Sequence, residues 1–156
     1  MARNSPGVRF PPPLLFVIGF CLGWLLHRFY PMPLFPGGGN AGAWLSGWGL
    51  IALALLLLAT ALLTFLRHRT GIYPNQPATA IVRSGPYRFS RNPMYVALTM
   101  LHLGLVLLTN MLWPLLLLPL ALMVLQKAVI QREEHYLREA FGAPYEQYCR
   151  EVRRWL

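Results

Sequence analysis

An all-α integral membrane fold with four transmembrane helices is what the sequence predicts, on three observations. The 156-residue chain is 56% hydrophobic and only 12% charged, about half the charged share of ordinary soluble domains. Its apolar residues gather into four runs, each near the ~20 residues a helix needs to cross a hydrocarbon core of about 30 Å. Thirteen of the fourteen Lys and Arg residues fall on one side of those runs. We read residues 1–156 as a single domain.

The first run spans about 14–30, entered through Pro11-Pro12-Pro13 and stopped by Pro31 and Pro33. Proline at a helix start costs little, because the first amide has no intrahelical partner. No small-residue cleavage site follows Phe29-Tyr30-Pro31, so this helix is expected to be an anchor that is kept rather than a leader that is removed. Gly19 and Gly23 are four apart, a spacing that lets helix backbones approach closely, within the chain or in a homodimer. The second run spans about 43–66 and the third about 93–109, with Pro93 at its first position. The fourth, about 111–130, carries Pro114 near its start and Pro119 within it, where a kink is expected. Asn110 alone separates runs three and four, which predicts a tight antiparallel hairpin.

Arg28 is the sole basic residue at one end. Arg3, Arg9, Arg67, Arg69, Arg83, Arg88 and Arg91 lie at the other, as do Lys127, Arg132, Arg138, Arg150, Arg153 and Arg154. The positive-inside rule makes that end cytoplasmic, with both termini inside. The net charge of +9 then reads as topology and contact with anionic membrane lipids. No RNA- or DNA-binding motif accompanies it, so nucleic acid is not an expected partner. Cys21 and Cys149 form neither a metal spacing nor a disulfide framework.

Two polar segments share the cytoplasmic end. The loop 68–92 exceeds the length of an ordinary connection, and with Pro74, Pro77, Gly85 and Pro86 it is expected to be ordered and irregular. It ends in Ser84-Gly85-Pro86-Tyr87-Arg88-Phe89-Ser90-Arg91-Asn92-Pro93-Met94-Tyr95. The cap 131–156 holds all five acidic residues, beginning with the Glu133-Glu134 pair. Helix should continue through Phe141 and stop at Gly142. Tyr145, Tyr148, Val152 and Trp155 then recur at helical spacing, predicting an amphipathic helix over 143–155 that lies at the interface or caps the loop.

Glu133 and Glu134 are either ordinary surface ions paired with Lys127, Arg132 or Arg138, or a half-buried site for a cationic or hydroxyl-rich ligand. Arg88 and Arg91 can equally anchor the loop to head groups, and Tyr87 and Tyr95 can be belt aromatics. His102, on the face of Tyr95, is either an intramembrane functional group or a histidine bonded to a neighbouring helix. There is no hydrolase-type nucleophile and base, no phosphate-binding glycine loop and no metal cluster.

Taken together, Arg83-Ser84-Gly85-Pro86-Tyr87, Arg91-Asn92-Pro93-Met94-Tyr95, Glu133-Glu134 and Phe141-Gly142-Ala143-Pro144-Tyr145-Glu146-Gln147-Tyr148 resemble the isoprenylcysteine carboxyl methyltransferase family. The phospholipid N-methyltransferases share the Asn-Pro-Met-Tyr and Glu-Glu elements. The resemblance runs over about 67–155. It implies an integral membrane methyltransferase that uses S-adenosyl-L-methionine at the cytoplasmic face and acts on a lipophilic or membrane-embedded substrate. Carried over by motif, the cofactor contacts fall on Thr79, Ala80, Ile81 and Val82, on Tyr87, on Asn92, Pro93, Met94 and Tyr95, and on Glu133. Arg91, Glu133 and Glu134 are the implied catalytic residues, with no metal. Asn92 stands where the eukaryotic carboxyl methyltransferases have histidine. Val129 stands where they carry an arginine facing the substrate carboxylate, and the nearby Lys127 and Arg132 lie in a different helical phase. The acceptor atom is therefore open. Tyr148-Cys149 also resembles the end of the NADPH-dependent membrane sterol reductases, and a non-catalytic membrane scaffold is the third reading.

Overall fold

The computed structural model describes residues 7, 10–68 and 80–156, and is helical throughout the long apolar runs. Helix α1 covers Pro13–Phe29 and α2 covers Ala41–Arg67. A 3-10 turn, Gly85–Arg88, precedes α3, Pro93–Thr109. Helix α4, Leu112–Leu125, passes through Pro119 and runs without a break into a π-helical turn, Gln126–Ile130. That turn leads directly into α5, Gln131–Phe141, and α6, Ala143–Glu151, follows after Gly142. No strand occurs among the described residues.

Two helices are long and apolar enough to cross a membrane, Ala41–Arg67 and the continuous Leu112–Phe141, and α1 and α3 are shorter apolar helices. In the continuous helix the apolar part ends at Ile130; Gln131 opens the polar part. Leu45, Leu53, Leu55, Leu56 and Leu63 leave α2 with an exposed apolar face. Apolar area on this scale does not face water in a monomeric soluble protein. Trp24, Phe29, Tyr30, Trp44 and Trp48 are exposed toward one end of the helices, where an aromatic belt would sit.

The helices pack as two antiparallel pairs, α2 with α3 and α1 with α4. The expected α3–α4 hairpin is only a turn: Asn110 adopts the left-handed conformation, and each helix then leaves for a different principal partner. Glycines decide the choice. A Cβ on Gly104 would lie 2.7 Å from Ile51 Cγ1 and 2.9 Å from the Gly47 carbonyl of α2. A Cβ on Gly23 would lie 2.5 Å from the Pro114 nitrogen of α4. The Gly19/Gly23 pair is thus used inside the chain. His102 of α3 joins the pairs: Nε2 lies 3.0 Å from the Pro114 carbonyl, and the ring meets Phe16 and Phe20 edge-on. Its role here is that of an interhelical fastener.

Asn110 also stitches the far end. Its side chain accepts from Phe35 N at 2.8 Å and donates to Phe35 O at 3.1 Å. The opposite end gathers the start of α1, the end of α2, the segment 80–92 and everything after Ile130.

Candidate functional site

The segment 80–92 and the C-terminal cap meet at that end. Gly85, with φ of +58°, turns the chain into the 3-10 turn, and Tyr87 drops into a cluster with Ala61, Val82, Phe65 and Met94. The Tyr87 ring centroid lies 5.0 Å from that of Phe65. Burial pushes the Tyr87 hydroxyl well above its usual range, so it stays protonated. Its backbone carbonyl accepts from Tyr148 OH at 2.8 Å. The Arg83 guanidinium lies over the Tyr148 ring and donates to the Pro144 carbonyl. Ile81 packs against Tyr145, Tyr148 and Val152. The C-terminal helix therefore covers the described end of the loop, one of the two placements expected of it.

That cap is shorter than expected. Helix α6 ends at Glu151, and Val152 is extended, with φ of −124° and ψ of 131°. The chain then crosses back over the site. The carbonyl of Arg153 accepts from Arg91 N at 2.9 Å, and that of Arg154 accepts from Asn92 Nδ2 at 3.0 Å. These bonds compete successfully with one more helical turn.

The two glutamates occupy different electrostatic settings. Glu134 is buried, at 4% exposure. Arg154 forks onto it, Nε to Oε1 at 2.8 Å and Nη2 to Oε2 at 2.7 Å. Arg91 Nη1 lies 3.0 Å from Oε1, and Arg138 Nη2 lies 3.8 Å from Oε2. Fork geometry of this kind is among the stronger hydrogen-bonded pairings. Glu133 is half-buried and accepts from Tyr95 OH at 2.8 Å. Among the described residues it pairs with no cation. Burial, reinforced by the Glu134 charge and opposed by the Tyr95 hydrogen bond, pushes its carboxyl up to about 7. One glutamate is thus saturated and its neighbour retains acceptor capacity.

The π turn makes this possible. An α-helix advances about 100° per residue, so the extra residue of a π turn rotates all that follows by about that angle. Val129 and Ile130 are fully buried with Tyr95, Phe16 and Leu125, and the polar helix beyond them presents Glu133 to Tyr95 and Glu134 to Arg91. Lys127 and Arg132 are exposed, so neither takes the place of Val129.

Of the residues singled out in the sequence, Tyr95 with Glu133 and Arg91 with Glu134 come together directly. Asn92 and Pro93 open α3 beside them. Val82, Tyr87 and Met94 form the adjoining apolar cluster, and Ala80 and Ile81 are half-buried at its edge. Thr79 lies outside the described residues. Sequence reasoning missed Arg154, treated only as one of many basic residues, and the contact of Arg91 Nη1 with Cys149 Sγ at 2.9 Å. The available signal was the burial that an adjacent carboxylate pair demands: it needs cations, and the tail supplies them. Arg91 Nε is buried without a hydrogen-bond partner.

Carboxylate acceptors, tyrosines and a buried guanidinium, set beside apolar walls, can hold a small zwitterion or polyol against a lipophilic partner. The family model for phospholipid methyltransferase matches residues 42–144, well over half the chain. Among curated proteins no relative matches it.

Proposed function

The chain belongs to the phospholipid methyltransferase family, and from that premise we propose that it is an S-adenosylmethionine-dependent methyltransferase acting on a lipophilic substrate at the cytoplasmic face of a membrane. In this reading all four apolar helices span, both termini are cytoplasmic, and the site lies where thirteen basic residues collect. The observation that carries it is the unequal glutamate pair. Glu133 has an oxygen on Tyr95 OH and, among the described residues, no cation, which suits an ammonium or ribose hydroxyls. The partnerless Nε of Arg91 suits an anionic or carbonyl oxygen. The donor set therefore fits the cofactor.

When bound, that cofactor supplies a methyl group on a cationic sulfonium, open to in-line attack. The protein's task is alignment and exclusion of water. Tyr95 fixes the Glu133 carboxylate so that it meets a ligand in one orientation. Arg91 and Glu134, held by Arg154, lock the start of α3 to α5. The apolar cluster of Val82, Tyr87 and Met94 shields one side from water, and the lipid-facing helices admit the acceptor. No side chain needs to form a covalent intermediate.

Thermal unfolding with added S-adenosylhomocysteine or NADPH tests this. The reading expects the first to raise the melting temperature and the second to leave it unchanged. A response to NADPH alone would favour reductase chemistry, and a response to neither would favour a scaffold.

A further inference from the structure

Beyond α6 the chain is an extended strap, residues 152–156, which enters the proposed mechanism only through the Arg154 grip on Glu134. Besides the backbone bonds to Arg91 and Asn92, the Arg154 carbonyl accepts from Ser90 Oγ at 3.3 Å. Trp155 packs against the core cluster to which Tyr95, Leu125 and Val129 belong. The Arg154 side chain spans Glu134 with two short bonds.

We propose that Arg154 is a positioning residue of the cofactor site, acting through Glu134. The inference rests on the methyltransferase reading. Three cations surround Glu134, from three places in the chain: Arg91 before α3, Arg138 on α5 and Arg154 on the strap. Arg154 alone reaches both oxygens at hydrogen-bond distance. Around Glu133 stand Tyr95 from α3, Tyr87 from the 3-10 turn and Glu134 on its own helix. None of them is a cation. The strap therefore separates two adjacent carboxylates into one that binds the fold together and one that is left for ligand. Without the Arg154 side chain, more of the Glu134 charge acts on Glu133, which then keeps a proton to higher pH and meets a cationic ligand less well. The backbone carbonyls of the strap would still hold Ser90, Arg91 and Asn92, so the side chain's effect is separable from the strap's.

The test is calorimetric binding of S-adenosylhomocysteine to the full-length protein between pH 6 and 8. The wild type is compared with Arg154→Gln, Arg154→Lys and the pair Arg154→Gln with Glu134→Gln. Arg154→Gln should weaken binding at pH 7 by about threefold to tenfold and move the pH midpoint upward by about half a unit or more. Arg154→Lys should recover most of both, since a cation is restored. In the double variant the midpoint should fall to the wild-type value or below it, because the repelling charge is gone. An unmoved midpoint in Arg154→Gln, even with lowered melting temperature, would make Arg154 a structural fastener and overturn the proposal alone. Absence of binding by the wild type would instead remove the methyltransferase reading, and this proposal with it.

Discussion

Protonation of Glu133 should govern cofactor affinity across the neutral range. The carboxyl stands at about 7 against an ordinary 4.5, chiefly because it is buried. At pH 8 about nine-tenths of the molecules hold it ionised, and at pH 6 about one-tenth, so a ligand ammonium should bind about tenfold less tightly at pH 6, or about 1.4 kcal/mol. Below pH 7 binding should release close to one proton, measurable by calorimetry in two buffers of different ionisation enthalpy. The same shift affects the fold. A carboxyl raised in the folded state favours folding fully below its unfolded value of 4.5, and that contribution is lost as pH rises through 7. Stabilisation by S-adenosylhomocysteine should accordingly grow from pH 6 to pH 8. Glu133→Gln keeps an acceptor for Tyr95 but removes the charge. Its affinity should drop by about tenfold or more, as expected for loss of a charged hydrogen bond, and its pH dependence should flatten. Equal affinity at pH 6 and 8 in the wild type, or a retained slope in Glu133→Gln, would refute the reasoning.

Tyr95→Phe removes the one hydrogen bond that lowers the Glu133 carboxyl; it should cost about 1 kcal/mol and move the binding midpoint upward in a calorimetric pH series. Deleting Ala128 should convert the π turn to α-helix and rotate α5 by about 100°, abolishing binding of S-adenosylhomocysteine while circular dichroism still reports a helical protein. Gly23→Ala places a methyl group against the Pro114 backbone and should destabilise the α1–α4 pair by about 1–3 kcal/mol, seen as a lower unfolding temperature with an unchanged dissociation constant for the folded fraction.

The apolar runs, the prolines at the starts of α1 and α3 and the glycine after α5 were legible in the sequence, because each acts through its immediate neighbours. So was the meeting of the segment near residue 90 with the segment near 133, since the basic residues put both at one end. Partner choice among the helices was not legible: it depends on which backbone Gly23 and Gly104 meet, a matter of tertiary fit. The division of labour between Glu133 and Glu134 was hidden too. The two lie about 100° apart in any α-helix; which directions they face is set by the π turn before them, and which one is saturated is set by the arriving Arg154. The spacing of Tyr145, Tyr148, Val152 and Trp155 suggested helix to the end, but Trp155 reaches the core from an extended strap. Periodicity records which residues are buried, and here two conformations bury the same set.

Transfer of a labelled methyl group from S-adenosylmethionine into lipid-phase product tests the central claim most directly. Membranes containing the wild-type protein should move label into the organic extract, and membranes containing Glu133→Gln at equal abundance should move several-fold less when the cofactor is held below the wild-type dissociation constant. Label confined to the aqueous phase in both, or equal incorporation by the two proteins, would contradict the account.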